Sequence, residues 1–483
     1  MGNNAACISF YMDGKVQTID FGKENALRPT TTVLNYLRGL PGRKGTKEGC
    51  AEGDCGACTV VLAALDGDGK VRFRAFDSCL ILLPMIHGKA LLTVESIGRS
   101  SKMHPVQQAM VDTDGSQCGY CTPGFIMSLY ALYKNDSDPD RAKIDDALTG
   151  NLCRCTGYRP IVEAAARACA GHYPDNGVIA DQTVQDALFQ LQADIAAVEI
   201  HREDQSYFRP TTLEEALSLR KAHPDAMVLC GATDIGLLVT KQKRILPKIL
   251  DLSGLSEIRQ VSETPEAFHI GAGVSLETVK GISETHFPAL FDMLAVFGSV
   301  QIRNMATFGG NLGSASPIGD TPPVLMAYDA TIVLTGPEGE RQIPALDFVT
   351  GYRQTVLRDD ELIREVILPK QQNGRIVKSY KISKRKDLDI STVSSGFRLD
   401  LNADNTVRDV VLVYGGMAAM TKRAVQAEDF LRGKPWSRVQ AEAAMDLVEA
   451  EFTPISDARS SKDGRRVMAR NLLLKFWADT QSS

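Results

Sequence analysis

Apolar and polar residues alternate at the start of the chain. Cys7-Ile-Ser-Phe-Tyr and Val16-Gln-Thr-Ile-Asp flank Asp13-Gly14. This reads as a β-hairpin, because Asp-Gly accepts the positive φ angles that a tight turn between right-twisted strands demands. Thr31 to Leu37 then begins a helix. A second hairpin pairs Thr59-Val-Val-Leu-Ala-Ala-Leu with Val71-Arg-Phe-Arg-Ala-Phe across Asp66 to Gly69. The expectation is a small sheet carrying one helix. The period then lengthens: Phe125, Ile126, Leu129, Tyr130 and Tyr133 recur at helical spacing behind Thr122, read as an N-cap, and Pro123 at the first helical position. Pro160 and the run Ile161 to Ala170 start another helix.

After residue 172 the pattern weakens. Tyr173 to Gln205 carries Pro, Asp, Asn and Gly before a short polar helix and reads as a linker. Beyond it an α/β pattern begins. Thr212-Leu-Glu-Glu215 is a capping box opening a helix to about His223, and Met227 to Cys230 is a short strand that turns through Gly231 to Gly236 into a helix from Leu237. Gly271-Ala-Gly273 lacks the third glycine of a dinucleotide fingerprint, since Leu276 stands in its place, and reads as a turn. Ser395 to Leu401 and Val407 to Val413 form a hairpin across Asn402 to Asn405. Helices from Ser437 and from about Asp463 close the chain, with Leu472, Leu473, Phe476 and Trp477 as core. The expected domains are therefore 1–98, 99–172, a linker over 173–205, 206–370 and 371–483.

Composition narrows the functional classes. The 483 residues with 44% hydrophobic content suffice for several cores. A net charge of −5, from 54 basic and 59 acidic residues, gives no support to nucleic-acid binding. The longest apolar run, Leu80 to Ile86, is too short to span a membrane and reads as core. Eleven cysteines and no apolar leader point to the reducing cytoplasm, where thiols ligate metals more often than they cross-link. The seven histidines form no ligand pair, which argues against a Rieske centre.

The cysteines supply the chemistry. Cys50, Cys55, Cys58 and Cys79 have the spacing of a plant-type [2Fe-2S] loop, four residues and then two between the first three. Gly49, Gly53 and Gly56 allow the loop to bend and its N–H groups to face sulfur. A zinc site is the competing reading, although zinc favours paired C-x2-C knuckles. Cys118 and Cys121, with Cys153 and Cys155, give four more sulfurs, Cys121 standing at a helix N-terminus whose dipole attracts an anionic cluster. Cys7 and Cys169 lie outside both sets and read as small buried hydrophobes.

Joined to Cys118-Gly-Tyr-Cys-Thr-Pro-Gly and Gly150-Asn-Leu-Cys-Arg-Cys-Thr-Gly-Tyr, the first loop resembles the xanthine dehydrogenase family of molybdenum hydroxylases over residues 1 to about 170. The resemblance implies a multidomain α+β protein: a ferredoxin-like β-grasp [2Fe-2S] domain, a helical [2Fe-2S] domain, and an α+β FAD-binding domain of the vanillyl-alcohol-oxidase (PCMH) type with a C-terminal α/β subdomain. Two glycine-containing turns fit that flavin domain. The strand, glycine turn and helix around Gly231 make an anion site, and the small and hydroxyl residues from Thr307 to Asp320 read as a phosphate-cradling loop.

Carried over residue by residue, the resemblance places FAD contacts at Val228, Leu229, Cys230, Gly231, Ala232, Thr233, Asp234 and Ile235. A second segment comprises Thr307, Phe308, Gly309, Gly310 and Asn311, with further contacts at Phe297, Asp320, Ile363 and Lys381. Ser383 to Asp389 matches a variable loop that lies near the flavin in relatives; a solvated charged loop is the plain alternative.

A flavin beside two one-electron clusters converts single electrons into a two-electron transfer. No residue set here reads as the substrate-oxidising centre. The resemblance therefore implies a large partner subunit carrying the molybdenum cofactor, NAD as acceptor and an (αβ)2 heterotetramer. Electrons would enter at the Cys118–Cys155 cluster and pass to the Cys50–Cys79 cluster, FAD and NAD+. An equivalent subunit of an aldehyde or N-heterocycle hydroxylase, a free-standing electron carrier and a zinc-stabilised module are the alternatives. No cysteine follows Cys230 to hold an additional [4Fe-4S] cluster.

Overall fold

A computed structural model describes residues 6–23, 27–173, 178, 180–202, 204–371 and 374–481. The chain divides into two compact units, residues 1–255 with 299–306, and residues 256–298 with 307–483.

The first unit is built around a five-stranded sheet in the order Lys15–Asp20, Cys7–Met12, Ala90–Leu92, Thr59–Leu65, Val71–Asp77. The two expected hairpins form its edges, and Asp13 and Gly14 take the positive φ angles that the first turn requires. Only Cys7–Met12 and Ala90–Leu92 run parallel. Alternation of side chains gives this sheet two buried faces. Ile8, Phe10, Val60 and Leu62 pack with Val33, Leu34 and Leu37 of the helix Val33–Gly39, which Thr32 caps. Tyr11, Val61, Ala63 and Phe73 pack with Phe125, Leu129, Ile161 and Ala164 of the helices Thr122–Asn135 and Arg159–Cys169. A strand buried on both sides explains why Thr59–Leu65 is continuously apolar rather than alternating.

Three details differ from the sequence reading. The helix after Cys121 starts at Thr122 with Cys121 as its N-cap, because the Thr122 hydroxyl hydrogen-bonds Ser116 instead of capping. Within 173–205, the helix Asp181–Ala193 buries Val184, Leu188 and Leu191 in the same core as the cluster helices, and Val198–Arg202 pairs with Gln205–Arg209. These strands continue into a mixed sheet with Lys248–Asp251 and Met227–Leu229. The capping box at Thr212 and Glu215 forms as read and opens Leu213–Ala222.

The second unit holds an antiparallel sheet in the order Val261–Glu263, Ala267–Gly271, Leu362–Pro369, Thr331–Gly336, Gly339–Pro344. Its C-terminal part is a four-stranded antiparallel sheet, Arg375–Ile382, Val393–Leu401, Val407–Gly415 and Lys422–Arg423. The helices Val425–Leu431, Arg438–Glu451 and Lys462–Asp479 pack on it. Leu472, Leu473 and Phe476 are buried there and Trp477 packs against them. Among the described residues no helix is long and apolar enough to cross a membrane.

His87 ties the first sheet together. Its Nδ1 accepts the Ser9 N–H at 2.9 Å, and burial, followed by the charge of Arg209, pushes its pKa down to about 4. A histidine depressed in the folded state stabilises fully above its unfolded value near 6.5 and loses that contribution as pH falls through 4. Urea unfolding should therefore lose about 2–3 kcal/mol between pH 7 and 4.5 through this group. His87→Gln should remove that share of the pH dependence, and an unchanged slope would refute the assignment.

Candidate cluster and flavin sites

Both cysteine sets lie in the first unit, and in each the thiols influence one another in twos. Cys50 is paired with Cys55 and Cys58 with Cys79; Cys121 is paired with Cys153 and Cys118 with Cys155. Among the described residues no group of three or more His, Cys, Asp or Glu side chains is arranged to hold one metal ion. Pairs suit a two-iron cluster, in which each iron takes two protein thiolates.

The loop backbone is aimed at sulfur. The N–H groups of Glu52 and Asp54 donate to Cys50 Sγ, and that of Cys50 to Cys55 Sγ, each at 3.4 Å. The hydrogen bond from Cys55 and these N–H donors lower Cys50 to about 5 against the opposing effect of burial, while its partner Cys55 is raised. Cys58 is raised by its bond to Cys79 and by burial. Its Sγ lies 3.5 Å from Asp77 Oδ1, and burial followed by the charge of Cys50 pushes Asp77 up to about 7. In the second set, burial and then Cys153 push Cys121 up to about 12. For Cys153, burial is outweighed by donors on Thr156, whose Oγ1 sits 3.2 Å from the sulfur, and the thiol is lowered. Cys58 and Cys79 are buried, whereas Cys118 and Cys155 are exposed.

The two loops abut. Leu152 N–H donates to the Cys55 carbonyl at 3.0 Å, and the Tyr120 hydroxyl donates to the Glu48 carbonyl. Gly56 has φ +66°, and a Cβ placed there would lie 2.2 Å from the Gly150 carbonyl oxygen, so no side chain fits at this position.

Of the flavin candidates, Val228 to Ile235 belong to the first unit and the remainder to the second. Val228 and Leu229 end a strand, Ala232 takes φ 61°, and Ile235 opens the helix Ile235–Thr240. Gly231 lies so close to Met305 that a Cβ would stand 2.3 Å from that residue's carbonyl oxygen. Cys230, Thr233 and Asp234 complete this strand-to-helix turn, with Asp234 as the N-cap residue.

In the second unit the start of the segment read as a loop is helical, over Phe308–Gly313, while 314–320 has no regular structure. Thr307 Oγ1 accepts the Gly310 N–H at 3.2 Å and caps Phe308–Gly313, so Gly309, Gly310 and Asn311 lie in one helical turn. The Thr-x-x-Gly cap outweighs the weak helix propensity of the glycines. Asn311 Oδ1 accepts from Thr321, and the Ile363 side chain lies over the end of the helix, 3.5 Å from where a Cβ on Gly313 would stand. Asp320 and Lys381 form a buried ion pair at 2.8 Å. Lys381 Nζ also donates to the Val296 carbonyl at 3.2 Å and lies 6.0 Å from the centre of the Phe297 ring. Ser391 Oγ donates to the other Asp320 oxygen at 2.5 Å. The sequence reading missed Ser391, which carries no motif. The charged loop bends on itself, with the Arg385 N–H donating to Asp389, and Lys384, Arg385 and Lys386 are exposed.

Comparison with known proteins matches these parts in order. A [2Fe-2S] binding domain model covers residues 93–166, an FAD binding domain in molybdopterin dehydrogenase covers 199–371, and a CO dehydrogenase flavoprotein C-terminal domain covers 378–480. This chain carries the iron–sulfur and FAD domains of the molybdenum hydroxylase family. It is 34% identical to xanthine dehydrogenase of Emericella nidulans over 92% of its own length and 36% of that protein. It is 32% identical to xanthine dehydrogenase/oxidase of Rattus norvegicus over 97% of its length and 38% of that protein. The chain thus spans well under half the length of the curated relatives it matches. Among solved structures, carbon monoxide dehydrogenase from Hydrogenophaga pseudoflava aligns with TM-score 0.54 and 25% identity, covering 57% of this chain and 96% of that one. Quinoline 2-oxidoreductase from Pseudomonas putida 86 aligns with TM-score 0.53 and 24% identity, over 58% of this chain and 98% of that one, a likeness of fold. The chain accordingly has a mixed α+β fold with iron–sulfur and flavin domains.

The cysteine sets and their N–H donors fit two [2Fe-2S] clusters; of the flavin candidates, Val228 to Ile235 and Thr307 to Asn311 lie on a strand-to-helix turn and a capped helical turn, Asp320 and Lys381 form a buried ion pair beside Phe297, and Ile363 lies on a strand. Replacing Gly56 by alanine should force the two loops apart and lower bound iron, measured by colorimetric iron assay; full iron loading would contradict the geometry. Lys381→Met should destabilise by about 3 kcal/mol, because it leaves the Asp320 carboxylate buried without its partner. The double change with Asp320→Asn should recover part of this loss in thermal unfolding of the flavin-free protein, whereas additive losses would rule out the pairing.

Proposed function

We propose that the chain is the iron–sulfur and FAD electron-transfer subunit of a xanthine dehydrogenase. A separate large subunit carrying the molybdenum cofactor oxidises hypoxanthine to xanthine and xanthine to urate. Electrons pass singly through the two clusters to FAD, which delivers them as a pair to NAD+. The observation that carries this reading is the arrangement of eight cysteines as two sets of paired thiols in one unit, in a chain that also matches a molybdopterin-dehydrogenase FAD domain. The metal ligands are Cys50, Cys55, Cys58, Cys79, Cys118, Cys121, Cys153 and Cys155. The flavin is held by Val228 to Ile235, Thr307 to Asn311, Phe297, Asp320, Ile363 and Lys381.

The substrate assignment is supported by the xanthine dehydrogenase relatives, which match over 92–97% of this chain. Exposure of Cys118 and Cys155, with exposed Tyr120, Leu152 and Tyr158 beside them, supports the second set as the entry point from the partner. The assembly is an (αβ)2 heterotetramer in the cytoplasm. A second reading keeps the relay and changes the substrate, as the carbon monoxide dehydrogenase and quinoline oxidoreductase neighbours favour.

Metal and flavin analysis of the full chain, alone and with its co-purifying partner, tests the reading. About four irons and one FAD per chain are expected, with molybdenum only in the partner. Iron near two would remove a cluster from the scheme, and a colourless zinc-loaded protein would overturn it. Anaerobic addition of NADH should bleach the flavin, and a response to xanthine but not to quinoline in the complex separates the two substrate readings.

A further inference from the structure

Four buried polar side chains form one hydrogen-bonded knot between the cysteine loops. Asn151 uses its whole amide. Nδ2 donates to the Gly56 carbonyl at 3.0 Å and to Thr59 Oγ1 at 3.2 Å, and Oδ1 accepts from Ser128 Oγ at 2.6 Å and from Gln301 Nε2 at 3.0 Å. Gln301 Nε2 also donates to Ser128 Oγ at 3.0 Å and reaches Thr59 Oγ1 at 3.4 Å. Thr59, Ser128 and Asn151 are each 2% exposed and Gln301 is fully buried.

Burying such groups is not the strongest way to fill this space. Each polar group must be desolvated, and an apolar set of similar volume avoids that cost. Gln301 Oε1 finds no hydrogen-bond partner among the described residues, so its Nε2 alone holds the side chain. What the knot supplies is direction. Asn151 fastens the carbonyl of Gly56, the residue after Cys55, to the backbone that leads through Leu152 into Cys153. Beside it lies the Leu152 N–H bond to the Cys55 carbonyl, which joins one cysteine loop to the other through a single backbone contact.

The geometry points to Asn151 and Gln301 as positioning residues that set the spacing of the two [2Fe-2S] centres by keeping the Leu152 to Cys55 contact closed. This rests on the reading of both cysteine sets as cluster ligands. Neither residue ligates iron or contributes a proton. Each acts only on the separation across which one electron leaves a reduced centre and enters an oxidised one.

The test uses the full-length holoprotein reduced with dithionite and examined by low-temperature electron spin resonance. Asn151→Asp keeps the volume and removes both Nδ2 donors; Gln301→Leu removes the second layer of the knot from a position outside both cysteine loops. Both variants are expected to bind iron as the parent does and to keep each centre's own g values. The splitting that each reduced centre imposes on the other should narrow, and electron equilibration between them should slow. A splitting unchanged in both variants overturns the inference, and so does loss of iron in both, which is the mark of residues needed for folding alone. A parent protein with fewer than two reducible centres would instead sink the function proposed above.

Discussion

Two loops that each curl around sulfur approach backbone to backbone, and at their closest approach there is no room for a Cβ. Gly56 meets this demand on one side and Gly124, in the helix behind Cys121, on the other: a Cβ on Gly124 would lie 2.2 Å from the Gly56 carbonyl oxygen. The sheet follows from the same contact. Thr59–Leu65 leaves the first loop directly after Cys58, and one of its faces receives the helix that Cys121 begins. Its other face receives the helix Val33–Gly39. One doubly buried strand therefore sets the position of both cysteine sets, and changes to its packing are felt at each.

The electrostatics of the two cysteine sets differ in kind. In the first, backbone N–H groups converge on Cys50 and Cys55 while Cys58 and Cys79 are buried, Cys58 beside Asp77. In the second, a hydroxyl and a helix N-terminus replace most of those donors, and half of the thiols face outward. Thiols must lose their protons to bind metal, so loading either set releases protons and is favoured where donors already stabilise thiolate. The first set is pre-organised to a greater degree. The second is the more accessible, which is the arrangement a relay needs if electrons arrive from another subunit.

Much of this was legible because its signals are local. Asp13-Gly14 and the capping box at Thr212 each act within a few residues, and the structure forms both. The Thr307 segment misled because four small residues suggest a loop, while a single cap bond is enough to wind them into a turn of helix. The stretch before Gln205 misled because its helix exposes many polar residues and hides only Val184, Leu188 and Leu191. Asn151, Gln301 and Ser391 were illegible as a class. Each is one polar residue whose importance lies in partners tens to hundreds of positions away.

The segment 299–306 shows how such distant partners fix the chain. Its sequence neighbours on both sides belong to the second unit, yet the segment itself is part of the first. Arg303 is fully buried and its Nη2 donates to both Asp146 oxygens at 2.7 and 2.9 Å, and Asn304 donates to the Ala75 carbonyl at 3.0 Å. An ion pair whose cation is buried while its carboxylate stays partly exposed adds little net stability, because desolvation of the guanidinium consumes most of its Coulomb energy. Misplacement is another matter, since an unpaired guanidinium left inside costs several kcal/mol, about 3–5 when the partner is removed. Arg303 therefore penalises every register but one. That same register delivers Gln301 to Asn151, so the selectivity of an ion pair on one helical turn becomes the precision of a polar knot between the cysteine loops.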